Sequence, residues 1–302
     1  MATTTSTWLA APDRAWTATL ADLVSLTKPR IIELLLITTV PAMVAAAGGW
    51  PGGWLLFATV VGGAMVSGSA HATNMVLDRD IDAAMVRTAG RPLPSGRLAP
   101  STALAFATVL LVVGSLTVLV GAGWLPATLT VAAWLWYVGV YTLLLKRRTV
   151  HNITIGGLAG ALPPAIGWTA VTGRLSVAAL LMVAIVTLWT PIHFWALAIG
   201  TGQDYANAKV PMLPVVRGAD AAARQGAVYA LATAVSALLL PVAGVGGIHL
   251  VGPALLLGIL LVGAATMLVR DPTPRAAWRT FHVSNGYLAG LFVMIAVTAP
   301  ID

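Results

Sequence analysis

Residues 54–97 read WLLFATVVGGAMVSGSAHATNMVLDRDIDAAMVRTAGRPLPSGR. The first part, 54–77, contains no Asp, Glu, Lys or Arg, and it is as long as the ~20 apolar residues needed to cross a bilayer. The second part, 78–97, holds three carboxylates and four arginines in a chain that is only 9% charged. A membrane span ending abruptly in concentrated charge predicts a bundle with a polar site at one end.

The rest of the chain extends that reading. It has 302 residues, 58% of them hydrophobic, and a mean hydropathy of +0.89. A soluble domain of this length needs far more polar surface, so the composition indicates a polytopic membrane protein. Apolar runs recur at 31–48, 54–77, 102–121, 124–145, 152–172, 176–199, 224–244, 250–269 and 282–299. A backbone in lipid must satisfy its own hydrogen bonds, so all nine are expected as helices. The prediction is an all-α membrane bundle with nine transmembrane helices. Residues 31–302 form one domain behind an N-terminal segment, 1–30. That segment lacks the basic-then-apolar layout of a signal peptide and has little arginine for a transit peptide, so it is expected to stay in the cytoplasm.

The basic residues set the orientation. With the N-terminus inside, the longer connections 78–101, 146–151, 200–223 and 270–281 all fall on one side. Sixteen of the 17 Lys and Arg residues then lie inside, and only Arg174 lies outside. This matches the positive-inside rule. The net charge of +7 is therefore a topological signal, and no nucleic-acid partner is expected because the cations sit singly or in short clusters. Cysteine is absent, which excludes disulfides, thiolate metal sites and cysteine nucleophiles. The arginine-rich composition suits a bacterial plasma membrane.

Chemistry is expected where acids accompany those cations. Asn74, Asp78 and Asp82 are spaced i, i+4, i+8. On a helix successive members rotate by only about 40°, so all three share one face along ~12 Å, while Arg79 and Asp80 point elsewhere. Such oxygen donors suit Mg²⁺, which takes one or two carboxylates together with substrate phosphate. A solvated acidic helix cap is the alternative, and Asn74 argues against it because it lies a full turn deeper. Arg87, Arg91 and Arg97 follow in a loop shaped by Pro and Gly, where guanidinium groups can meet phosphate oxygens. DYANAKVPMLPVVRG, 204–218, repeats the arrangement more sparsely, with Asp204, Lys209 and Arg217. YTLLLKRRTVHN, 141–152, ends a span in Lys146, Arg147 and Arg148, which meet diphosphate or simply anchor the helix. GGLAGALPPAIGW, 156–168, places small residues and Pro163–Pro164 inside a span, as a widened pocket or close helix packing requires. His193, inside a span among aromatics, is a candidate haem ligand, base or hydrogen-bonded core histidine. The combination points to allylic prenyl transfer. Mg²⁺ and arginine would stabilise the departing diphosphate, and a dry pocket would shield the carbocation.

At these motifs the chain resembles the UbiA-type intramembrane prenyltransferases. LTKPRIIELLLITT, NMVLDRDIDAAMVRTAGRPLPSGR, YTLLLKRRTVHNITIGGLAGALPPAIGWTAVTG, WTPIHFWALAI, DYANAKVPMLPVV and FHVSNGYLAGLF carry the resemblance across residues 26 to about 292. The similarity is to the branch that acts on haem. It implies a nine-helix bundle that transfers farnesyl from farnesyl diphosphate to the 2-vinyl group of haem B, with water as co-substrate. The product is haem O, for terminal oxidases or for haem A synthase. By the same resemblance Asn74, Asp78 and Asp82 would hold Mg²⁺, and Asp204 would hold a second ion. Arg87, Arg91, Lys146, Arg147 and Lys209 would contact diphosphate. Quinone-type relatives usually carry a further carboxylate at the place of Ala208, which favours haem here and leaves one or two Mg²⁺ ions open. His71 stands where the family more often has a small residue, so no role is carried onto it. The other readings are a prenyltransferase of a quinone precursor or another tetrapyrrole and, in a different class, a cation-coupled transporter.

Overall fold

The computed structural model describes residues 20–299, and the expectation for 1–19 lies outside the described residues. The described chain is all helical. Helix α1 (Leu20–Leu26) precedes α2 (Pro29–Ala47), α3 (Gly53–Leu77) and the short α4 (Arg79–Ala84). Helix α5 (Pro100–Ala122) is followed by α6 (Trp124–Leu135), which continues as a π-helix over Trp136–Leu145. Three short helices come next: α7 (Asn152–Gly156), α8 (Leu158–Ala161) and α9 (Pro163–Thr172). Then follow α10 (Val177–Gly200), α11 (Gly202–Asn207), α12 (Leu213–Ala237), α13 (Gly247–Arg270) and α14 (Pro274–Thr298).

Among the described residues, eight helices are long and apolar enough to cross a membrane. They are α2, α3, α5, α6 with its π-helix, α10, α12 with its turn to Ala243, α13 and α14. The expected fifth span, 152–172, is not one helix but α7, α8 and α9 in succession. Pro163 and Pro164 supply no backbone N–H, so α9 starts anew with proline in its first turn. Gly156 and Gly157 are needed because neighbours press on them. A Cβ on Gly156 would lie 2.4 Å from the Tyr141 ring, and one on Gly157 would lie 2.6 Å from Thr190 Cγ2. The broken segment thus packs tightly against the π-helix and α10.

Three expected loops are also partly helical. Helix α4 occupies part of 78–101, and α11 with the start of α12 occupies part of 200–223. Helix α14 begins at Pro274, eight residues before the expected 282. Its Thr273 cap accepts the Ala276 N–H, so the helix starts on a polar turn ahead of its apolar stretch. Helix α12 is kinked at Gly218, whose positive φ (φ 82°, ψ 162°) is non-helical.

Helix α10 is the most enclosed long helix, and Met182, Ile185, Trp189, Ile192 and Ala196 form the spine of the core. Large apolar side chains such as Val120, Leu256 and Ile259 face outward, as lipid contact requires. Between α3 and α5 glycines bring the backbones together. A Cβ on Gly114 would lie 2.8 Å from both Gly62 O and Met65 Cβ, whereas one on Gly63 would meet open space. Small residues at such contacts gain dispersion contact that lipid cannot offer. Gly114→Val is therefore expected to cost about 2 kcal/mol or more through overpacking. Thermal unfolding of the detergent-purified protein reads this as a lowered midpoint, with Gly63→Ala near wild type. Equal midpoints for the two variants would contradict the close contact.

Candidate active site

Helix α3 carries Asn74 in its last turn and ends at Leu77. Asp78 is its cap, with φ −101° and ψ 14°, and it also opens α4. The span ends at Leu77, as its apolar run does, so the helical spacing from Asn74 to Asp82 crosses a break at Asp78. Its local register survives, because Asp78 N–H donates to Asn74 O at 2.9 Å and Asp82 N–H to Asp78 O at 2.8 Å. Asn74, Asp78 and Asp82 are all buried, whereas the Asp80 side chain is 61% exposed.

Each buried acid is met by cations from elsewhere. Asn74 Nδ2 donates to Asp78 Oδ2 at 2.6 Å and to Thr142 Oγ1 at 3.1 Å. Lys146 Nζ donates to Asp78 Oδ2, and Arg147 Nη2 approaches Asp78 Oδ1 at 3.4 Å. Arg91 Nη1 reaches both oxygens of Asp82 at 2.8 Å, and Thr88 Oγ1 donates to the Asp82 carbonyl. Arg147 forks onto exposed Asp80 with two bonds of 2.7 Å, and this guanidinium holds the Asp80 carboxyl below its usual range. Arg97 is paired with Asp22 at 3.2 Å, which ties α1 to the loop.

The π-helix sets this register. Its i→i+5 pattern lets Thr142 Oγ1 donate to Tyr137 O at 2.9 Å and Lys146 N–H to Tyr141 O at 2.8 Å. Five-residue spacing thus aims Thr142 at Asn74 and Lys146 at Asp78. Such segments recur at functional sites. Tyr137 and Tyr141 stack at 5.5 Å along the same face.

Lys28 belongs to this cluster, although the sequence reading counted it only as a topological charge. Its Nζ donates to Asn74 Oδ1 at 3.1 Å. Burial, with Arg91 and Lys146 close by, pulls its ammonium down to about 7. Asp82 and Asp78 act on it in the opposite sense, so all five groups share one electrostatic site. Lys28 has φ 53°, and so does Lys209; they are the only non-glycine residues with positive φ among the described residues. Holding such a residue there costs about 1–3 kcal/mol, which is tolerated where the surroundings over-determine it. The signal in the sequence was Lys28 standing directly before Pro29, where a helix start fixes the backbone.

Asp204 does not join the Asn74–Asp78–Asp82 group through any direct bond. Its Oδ1 accepts from Val86 N–H at 3.1 Å, and its Oδ2 lies 4.0 Å from Arg87 Nε. It therefore ties the two acidic loops together. Lys209 lines a crevice of about 360 Å³ with Asp80, Arg147 and Asn207. Among the described residues, no three acidic or histidine side chains form a ready-made metal cage. The donor set nonetheless fits a hard cation that arrives with phosphate. Asn74, Asp78 and Asp82 offer buried oxygens whose present partners are ammonium and guanidinium groups, and Mg²⁺ takes such oxygens while completing its shell with water and phosphate.

His193 is buried apart from this cluster. Its Nδ1 lies 2.9 Å from Ser284 Oγ, and its ring is stacked between Trp189 at 4.2 Å and Phe281 at 4.5 Å.

Comparison with known proteins matches this architecture. Residues 35–292 match the UbiA prenyltransferase family. Relatives named protoheme IX farnesyltransferase include one from Symbiobacterium thermophilum, 50% identical over 283 residues, covering 92% of this chain and 94% of that protein. A Nocardioides relative of the same name is 49% identical over 284 residues, covering 92% and 90%. One from Thermus thermophilus is 49% identical over 280 residues and covers 93% of this chain, which spans only 46% of that longer protein. The fold is similar to that of a digeranylgeranylglyceryl phosphate synthase, with TM-score 0.77, 16% identity and coverage of 94% and 99%. It is also similar to a UbiA homologue from Archaeoglobus fulgidus bound to GPP and Mg²⁺, with TM-score 0.64, 14% identity and coverage of 91% and 99%. The family match spans most of the helical bundle and every element of the charged cluster except Lys28, so the chain belongs to the UbiA prenyltransferase family.

Proposed function

We propose that this protein transfers a farnesyl group from farnesyl diphosphate to the 2-vinyl group of haem B within the membrane, giving haem O and diphosphate. One observation carries the reading. A buried Asn74–Asp78–Asp82 group is ringed by Lys28, Arg91, Lys146 and Arg147 at one end of an apolar bundle. The names of the relatives support haem B as acceptor.

In this reading Asn74, Asp78 and Asp82 would hold Mg²⁺, and Asp204 would serve a second ion. Magnesium, when bound, supplies positive charge to the diphosphate as it departs. Arg87, Arg91, Lys146 and Arg147 would turn from their carboxylate partners, and Lys28 from the Asn74 amide, to the diphosphate oxygens, with Lys209 joining them from the crevice. The C1–O bond of the allylic diphosphate breaks, and its electron pair leaves with diphosphate. The terminal vinyl carbon bonds C1, and the cation passes to the carbon beside the macrocycle. Water adds there and loses a proton, leaving the hydroxyethylfarnesyl group. Until that point the pocket must exclude water, and the apolar bundle behind the cluster supports this. His193, oriented by Ser284, is the candidate haem contact.

The site is assigned to the cytoplasmic face, because the Lys and Arg residues gather at its end of the bundle. Haem A synthase or terminal oxidase assembly is the expected recipient of product. A transporter would distribute its acids along a pathway near the midplane; here they lie at helix ends, paired to cations. The test is incubation of the purified protein in liposomes with haem B, farnesyl diphosphate and Mg²⁺. Haem O by mass spectrometry is expected, with at least a roughly 100-fold loss on chelation by EDTA. No haem O from native protein with Mg²⁺, or prenylation of a quinone precursor instead, overturns the reading.

A further inference from the structure

His71 projects from α3 one turn before Asn74 and is 5% exposed. Both of its ring nitrogens are buried without a hydrogen-bond partner. Tyr137 packs against the ring edge-on, at 5.3 Å and 83°, and supplies no polar contact. The charges within electrostatic reach are Lys28 and Arg91, neither of which bonds it. Leaving a buried donor or acceptor unpaired costs about 1–3 kcal/mol each, and a native structure rarely retains two on one side chain without a ligand. The other buried histidine among the described residues, His193, has Ser284 on Nδ1 and an aromatic ring on each face.

We propose that His71 is a ligand to the iron of the porphyrin acceptor, selecting iron porphyrin over metal-free porphyrin. This rests on haem B being the acceptor. A neutral imidazole offers a lone pair that haem iron takes in preference to most other side chains. The spacing suits it. Seven residues of rise place His71 ~10 Å along α3 from Asp78. The vinyl groups of a porphyrin lie at its rim, so iron held at His71 leaves the rim to reach toward the diphosphate end. The imidazole then acts in positioning the acceptor, not in the bond-making step.

The test uses the full-length protein in detergent or nanodiscs, with haem B and metal-free protoporphyrin IX as probes. Wild type is expected to give a histidine-ligated haem spectrum. In His71→Ala and His71→Gln that signature is lost, and haem B binds about 10-fold or more weakly, a loss of about 1.4 kcal/mol. Metal-free protoporphyrin binds all three proteins alike, which also shows that the variants are folded. Added imidazole restores the spectrum in His71→Ala. Glutamine retains hydrogen bonding without ligating iron, so a wild-type spectrum and affinity in His71→Gln overturns the proposal. Loss of the signature in His193→Ala but not in the His71 variants also overturns it. If wild type makes haem O while the His71 variants keep the ligated spectrum, only this proposal falls. If wild type neither binds haem B nor makes haem O, the functional reading falls with it.

Discussion

Asp78→Asn is expected to reduce prenyl transfer by about 10³-fold while leaving the bundle folded, equivalent to ~4 kcal/mol of transition-state stabilisation. Asp78 is 1% exposed. Its Oδ2 accepts from Asn74 and Lys146, and its Oδ1 faces Arg147. An amide keeps the shape but brings no negative charge, so it neither anchors Mg²⁺ nor orders the two cations. The decisive measurement pairs product formation with size-exclusion and thermal-unfolding profiles in the same detergent. A folded Asp78→Asn protein with wild-type turnover would remove Asp78 from the chemistry, and with it the assignment of the site.

Lys146→Met should show two linked effects. Without ligand, Lys146 neutralises a carboxylate that is almost completely enclosed, and Lys146 itself is only 12% exposed. Removing one partner of a buried pair leaves an uncompensated charge and typically costs about 3–5 kcal/mol. The unfolding midpoint should therefore fall. Turnover should fall about 100-fold as well, because the ammonium no longer meets the departing diphosphate. Mg²⁺ with a non-hydrolysable farnesyl diphosphate analogue should raise the variant's midpoint more than that of wild type, since the cation restores the charge balance at Asp78. An unchanged midpoint without ligand would mean that Arg147 alone suffices for Asp78. Unchanged turnover would remove Lys146 from diphosphate binding.

Much of this site was legible because the sequence concentrates acid, amide and arginine in a chain almost free of charge. The spacing of Asn74, Asp78 and Asp82 marked them as sharing one face with Asp80 apart, and the structure buries the three and exposes Asp80. The end of the span at Leu77 was legible from the apolar run, whereas the short helix α4 that resumes after Asp78 was not. Lys28 was missed because a lone lysine before a span looks like any topological charge. Only the approach of α2 to α3 makes it a partner of Asn74. The fifth span looked continuous because glycine is common in membrane helices. Tyr141 and Thr190 press on Gly156 and Gly157, and the two prolines, which lack a backbone N–H, start α9 anew.

The sequence by itself determined the solvent, the helical class, the end of the bundle where charge gathers and the kinds of side chain available for diphosphate. These follow from apolar length and residue chemistry, which are local properties of the chain. The tertiary structure decided which groups meet. Lys28 reaches Asn74 across 46 residues, Asn74 reaches Thr142 across 68, and Val86 reaches Asp204 across 118. Such pairings depend on how whole helices pack and on the five-residue register of the π-helix. No periodicity within one segment encodes them.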